Sequence, residues 1–244
     1  MSNPYQSPPF SRLPLVPPYI PIGPIAYLFI GIVVFQLVLA MASIGASVLN
    51  LDFLQKASNG IANQQEADIV DFSVAAVALL RMLVFFVAIV FYLIWFYRAY
   101  RNLPALRAVE VYTSPGGAVG FHFIPCANLY FVYRGMREIW LGSHPKDLHA
   151  IKSPMIKHLV GAPIVGFWWG LHLVSGFLAP VAVRFIEMGE RQQNISMLQN
   201  AVLIDILSDL LHMAAGLLLV CIVYFSTLHQ EERFELDQKL SASR

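Results

Sequence analysis

Charge is what this chain has least of. Asp, Glu, Lys and Arg make up 13% of its 244 residues, and hydrophobic types make up 57%; soluble domains carry about 25% charged residues. Such a chain cannot cover a soluble surface with polar groups, and its mean hydropathy of +0.62 points to a bilayer. A net charge of +1 leaves no basic field for a polyanion, so nucleic acid is not expected as a partner. Cysteine is nearly missing too. Cys126 and Cys221 both lie in apolar stretches without a C-x-x-C neighbour, which excludes a disulfide framework or a zinc knuckle. Catalytic signatures are also lacking. There is no Gly-x-Ser-x-Gly, no His-Glu-x-x-His and no lysine at phosphate-loop spacing after the glycines. The expectation is a non-enzyme with no cofactor and no metal.

What the chain does have is long apolar runs. A helix needs about 20 apolar residues to cross a ~30 Å hydrocarbon core. Four runs qualify, at about 25–49, 74–97, 159–183 and 203–228. The first resembles a signal sequence only at Ala40-Met41-Ala42. Its lead-in is long and proline-rich with Arg12 alone, so a retained span is expected. Residues 1–24 hold eight prolines and read as a polyproline-like tail. Residues 229–244 read as a charged tail that continues the last helix into solvent. Polar stretches at 50–73, 142–157 and 184–202 read as loops. In the third run, Gly161, Gly166, Gly170 and Gly176, with Ala162 and Ser175, are expected to let a neighbouring helix approach closely.

The lysines and arginines of the short loops orient the chain. Region 98–158 carries eight, namely Arg98, Arg101, Arg107, Arg134, Arg137, Lys146, Lys152 and Lys157. Loop 50–73 carries one and loop 184–202 carries two. Region 98–158 and both termini are therefore expected on the cytoplasmic side of a cytoplasmic membrane. The apolar segment 118–141 has basic residues at both ends and is broken by Pro125 and Asn128. Crossing there would put five basic residues outside, so a re-entrant or interfacial segment is expected. The fold class is then all-α, a polytopic membrane bundle of four spans plus that segment.

The residues of this middle region are distinctive. Trp95-x-x-Arg98-x-x-x-Asn102 is followed by Ser114-Pro115-Gly116-x-Ala118-Val119-Gly120-x-x-Phe123-Ile124-Pro125-x-x-Asn128-Leu129. Met136-Arg137-Glu138-Ile139-Trp140 closes it. The pattern resembles a bacterial membrane family, domain of unknown function 4328, over about residues 70–230. The chain departs from that family's common pattern at Gly117, Phe121 and His122, where tryptophans are frequent. The resemblance implies a four-helix integral membrane fold and carries no activity.

Two constellations remain as candidate sites. Ionisable groups inside spans cost at least ~2.5–3.5 kcal/mol each at mid-bilayer on insertion scales. Asp205, Asp209 and His212 fall at i, i+4 and i+7 on one helix face, with Arg81 and His172 at comparable depths. They form a structural clamp, a proton or solute path, or a metal site, and the sequence leaves all three open. The second constellation is the expected cytoplasmic interface around Arg98, Asn102, Arg134 and Arg137. Arg134 can pair with Glu138 one turn on. The basic groups serve either as ordinary lipid anchors or as an anion site, with Gly116, Gly117 and Gly120 admitting a close ligand. His144, His149 and His158, near Pro145 and Pro154, read as solvated. Partners expected are the lipid bilayer and either a protein or a second copy of the chain.

Overall fold

The computed structural model describes residues 17–106, 111–144 and 164–242. Those residues form six helices and no strand: α1 Gly23–Ser58, α2 Gln64–Asn102, α3 Pro115–Gly120, α4 Ala127–Ser143, α5 Ile164–Gln192 and α6 Ile195–Ala242. A 3-10 turn, Phe121–Phe123, joins α3 to the break before α4. Four of the helices, α1, α2, α5 and α6, are long and apolar enough to cross a membrane. This is an all-α, multi-pass membrane architecture.

The long helices outrun their apolar runs. α1 continues to Ser58 and α2 starts at Gln64, so most of the expected 50–73 loop is helical. Once a helix is nucleated, each further residue adds a hydrogen bond at little cost, whether or not the segment is apolar. Asn63 sets the new boundary by capping Glu66 N at 2.9 Å. Lys56 then ties the two helix ends together through Asp52 and Glu66, at 2.9 and 3.0 Å. The expected 184–202 loop shrinks likewise to a turn at Gln193 and Asn194, with Gln193 at φ +50°.

α1 packs between α2 and α6, and α5 lies along α6. Two of the glycines expected at a close approach do not make one. Gly170 and Gly176 have open space where a Cβ would stand, whereas one at Gly189 would meet Leu198 and one at Gly216 would meet Leu37. Gly161 and Ala162 lie outside the described residues. Ser175 does mark a contact, because its carbonyl accepts from Ser208 Oγ at 3.0 Å.

One end of the bundle gathers the start of α1, the end of α2, α3, α4 and the last third of α6. It carries Arg98, Arg101, Arg134 and Arg137 and is called the basic end below. Its core is aromatic, with Phe29, Trp95, Phe96, Tyr100, Met136, Ile139 and Trp140 all buried. The 118–141 segment is a hairpin here. α3 runs away from the basic end, the chain turns at Ile124–Cys126, and α4 returns. Pro125 prevents a continuous helix, and Cys126, at φ +64° and ψ −40°, forms a tight γ-turn in which Ala127 N donates to Pro125 O. α4 is not among the helices able to span.

Candidate functional site

The ionisable groups of the spans converge. Arg81, on α2, places both terminal nitrogens on Asp209 of α6, at 2.9 Å to Oδ2 and 2.6 Å to Oδ1. This two-pronged arrangement is the strong form of an arginine–carboxylate pair. Arg81 also donates to Ser43 Oγ of α1 at 2.7 Å, and its own carbonyl accepts from Gln36 at 3.3 Å. Three helices therefore meet on one guanidinium. Asp209 is 4% exposed. Asp205, one turn earlier, accepts from Ser47 of α1 at 3.4 Å. His212, one turn later, stands with its ring centroid 6.3 Å from that of His172 on α5.

The row ends there. Trp169 stacks near His172 with ring centroids 5.4 Å apart, and Trp168 is buried beside it. Beyond lies the aromatic core of the basic end. Among the described residues no group of three or more His, Cys, Asp or Glu is placed to hold a metal ion. His172 and His212 pair with each other instead of joining Asp205 and Asp209 around one centre. Two cavities among the described residues lie elsewhere. One is an apolar groove of about 380 Å³ between α1 and α2, lined by residues such as Tyr27, Gly31 and Val87. The other is a small space of about 10 Å³ beneath Arg134 and Glu138.

At the basic end, several residues expected at an aqueous interface are core residues. Asn102 is fully buried. Its Oδ1 accepts from Ile20 N at 3.0 Å, and its Nδ2 donates to Ile20 O at 2.8 Å and to Gln230 Oε1 at 3.3 Å. Asn102 thus reads the backbone of the incoming proline-rich segment as a neighbouring strand would. Gln230, also fully buried, donates to Ala99 O and to Ser143 Oγ at 3.1 and 3.0 Å. Trp95 donates to Thr227 Oγ1 at 3.0 Å, and Trp140 is buried. Burial of this kind requires satisfied partners; the network supplies them to Asn102, Gln230 and Trp95, whereas Trp140 Nε1 has none among the described residues.

Glu138 gathers a second cluster. Tyr100 donates its hydroxyl to Glu138, and Arg134 donates Nε at 3.0 Å. The Arg134 guanidinium lies 3.6 Å over the Tyr112 ring, so the pair expected at i, i+4 also has a cation–π partner. Gly117 leaves room for the Ser114 cap of α3, since a Cβ there would meet Thr113 Oγ1 at 2.6 Å. Gly116 and Gly120 face open space, Pro115 opens α3, and Asn128 donates its N–H to Ile124 O at 3.0 Å. Arg98 is half-buried and Arg137 exposed.

His144 is not solvated. It is 4% exposed, sits over Trp140 with centroids 4.2 Å apart, and places Nδ1 on Trp140 O at 2.5 Å. Burial pushes its pKa down to about 4, against the opposing pull of that carbonyl, and the adjacent His229 lowers it further. The imidazole is therefore neutral. His149 and His158 lie outside the described residues.

Four residues of α6 were not anticipated as packing residues: Thr227, Gln230, Glu231 and Arg233. Arg233 donates to Gly142 O at 2.6 Å, to His144 O at 3.3 Å and to Leu106 O. Glu231 accepts from Gly23 N at 2.7 Å and caps α1 from another helix. The spacing of Thr227, Gln230 and Arg233 at three-residue steps was the available signal, because it puts one polar stripe on an otherwise charged extension.

Comparison with the curated proteins and with the solved structures returns no match. A protein-family model does match, over residues 59–228, which spans α2 through the apolar part of α6 and includes both Arg81 and the whole hairpin. By that match, the chain belongs to the family described as domain of unknown function (DUF4328).

Proposed function

We propose that this protein is a non-enzymatic scaffold or complex subunit of a bacterial cytoplasmic membrane, with both termini on the cytoplasmic side. In this reading the ionisable row is a clamp. The observation that carries it is the closure of Arg81 on Asp209 and Ser43, which leaves the guanidinium engaged on three helices at once. A charge pair so engaged fixes helix register, and breaking one partner costs about 3–5 kcal/mol while replacing both is far cheaper. The apolar core between this row and the basic end supports the same reading, because Phe29, Trp95, Phe96 and Trp168 are buried there. The basic end, with Arg98, Arg101, Arg134 and Arg137, would face the cytoplasm and present its surface to a partner protein or a second copy.

A second reading is a small transporter or channel subunit using the outer-half row. It draws on His172 and His212, which pair with each other next to a carboxylate and a guanidinium. One set of variants separates the two. Asp209→Asn and Arg81→Gln should each lose stability in detergent, whereas Arg81→Met with Asp209→Leu should recover most of it. Proteoliposomes of that double variant then decide function. A proton or solute flux present in the wild type and abolished in the folded double variant would refute the scaffold.

A further inference from the structure

We propose that the α3–α4 hairpin is a re-entrant wedge whose apex, Phe123 to Tyr130, contacts the acyl chains of the leaflet on the basic side. The inference rests on α2 and α6 spanning a bilayer and decides what the sequence leaves open between a re-entrant and an interfacial segment.

Depth follows from contacts with three different helices. At the mouth of the hairpin, Thr113 N meets the Tyr100 hydroxyl at 3.4 Å, and Glu138 meets the same hydroxyl on the return limb. Further in, His122 stands against Tyr92 at 3.1 Å and packs edge-on to Phe96. Its Nδ1 faces the carbonyls of Ala118 and Val119 at 3.1 and 3.2 Å, so the proton is assigned there and Nε2 accepts from the Tyr92 hydroxyl. On α4, Gly135 lies against Phe96, and a Cβ there would sit 2.8 Å from its Cζ. α4 therefore runs alongside α2 with Gly135 level with Phe96 and Glu138 level with Tyr100. At 1.5 Å per residue, Cys126 lies about 14 Å deeper than Gly135. The third contact agrees: Trp169 of α5 donates to Leu129 O at 2.7 Å, and Trp169 neighbours His172 in the middle of the spans.

Cys221 on α6 lies within about 4 Å of that depth. It is six residues from Thr227, which bonds Trp95, so it lies about 9 Å below that level. Cys221 is exposed on an apolar span, and Cys126 is exposed at the hairpin apex. Around Cys126, Phe123 is 69% exposed, Ile124 50%, Leu129 45% and Tyr130 55%. These are acyl-chain-compatible surfaces at a level where the flanking helices are themselves apolar.

Irregular backbone within the hydrocarbon region is tolerated only when its polar groups have partners. Part of the apex backbone meets that condition. Ala127 N donates to Pro125 O at 2.7 Å and Asn128 N to Ile124 O at 3.0 Å, with Leu129 O held by Trp169. Lipid is the occupant that its apolar side chains fit, with Phe123, Ile124, Leu129 and Tyr130 all exposed.

The test uses the two native thiols. A bimane fluorophore is placed on Cys126 in the Cys221→Ser chain and, separately, on Cys221 in the Cys126→Ser chain. Each is reconstituted in phosphatidylcholine–phosphatidylglycerol vesicles brominated midway along the acyl chains. Quenching at Cys126 should come within about twofold of that at Cys221, since both lie within the hydrocarbon of a ~30 Å core, and aqueous iodide should quench neither. A label at Phe123→Cys in the cysteine-free chain repeats the measurement should Cys126→Ser fold poorly. Iodide quenching at Cys126 alone would overturn the proposal in favour of an interfacial segment. Quenching at Cys221 but by neither agent at Cys126 would overturn it in favour of a protein-covered apex. Iodide quenching at both sites would overturn the spanning assignment as well.

Discussion

Gly135→Ala tests how tightly the hairpin is seated. In an exposed helix the change would stabilise by about 1 kcal/mol, because alanine loses less backbone entropy than glycine. Here the added Cβ would stand 2.8 Å from Phe96 Cζ, about 1 Å inside the ~3.5–4.0 Å at which carbon atoms attract. Phe96 cannot simply swing away. It is fully buried, stacked on Tyr100 with centroids 6.0 Å apart and edge-on to His122 at 4.8 Å. Overpacking of a fixed core costs about 1–3 kcal/mol, so the net result should be a loss of about 1 kcal/mol. Gly170→Ala, with open space at the same atom, should show no such loss. Phe96→Leu in the Gly135→Ala background should return part of the loss, giving a coupling of about 1 kcal/mol in a double-mutant cycle. Chemical or thermal unfolding in detergent micelles reads the wild type, the Gly135→Ala, Phe96→Leu and Gly170→Ala variants and the Gly135→Ala/Phe96→Leu pair. A Gly135→Ala chain as stable as the wild type, or zero coupling with Phe96, would refute the packing argument.

Two further perturbations address the basic end. Asn102→Leu removes the amide that serves Ile20 and Gln230; buried groups left unpaired cost about 1–3 kcal/mol each, so unfolding should shift by at least that much. Protease trimming before α1 should also speed up, and a variant with wild-type stability and trimming would show that the segment is held by other contacts. His144 supplies a pH dependence whose sign is set by its depressed pKa of about 4 against an ordinary value of 6.5. Below the ordinary value the unfolded chain takes up a proton that the folded chain does not. Its contribution is therefore complete above about pH 6.5, declines as pH falls, and is gone near pH 4, amounting to about 3 kcal/mol. His144→Phe should flatten the stability profile across that window; an unchanged slope would mean that the imidazole is already protonated in the fold.

The legible and illegible parts of this protein divide along a physical line. The four spans and the Arg81–Asp209 encounter were readable because each depends on one-dimensional quantities, the length of an apolar run and the depth of a residue at fixed rise per residue. The basic end was not, because a polar group just past a span looks the same in sequence whether it meets water or another helix. The sequence pattern puts Asn102 at the cytoplasmic interface and His144 in solvent, yet both are buried through contacts with residues far along the chain, Ile20 and Gln230 for one, His229 for the other. The hairpin lies between these cases. Its failure to span follows from Pro125 and the flanking charges, yet its depth is fixed only by which residues of α2 and α5 it meets, and no local pattern encodes that register. Trp169 makes the point. In sequence it is one aromatic of a tryptophan pair in an apolar run. In the fold it hydrogen-bonds the hairpin at Leu129 and stacks beside His172, so the wedge entering from the basic end and the ionisable row of the opposite half meet at a single side chain.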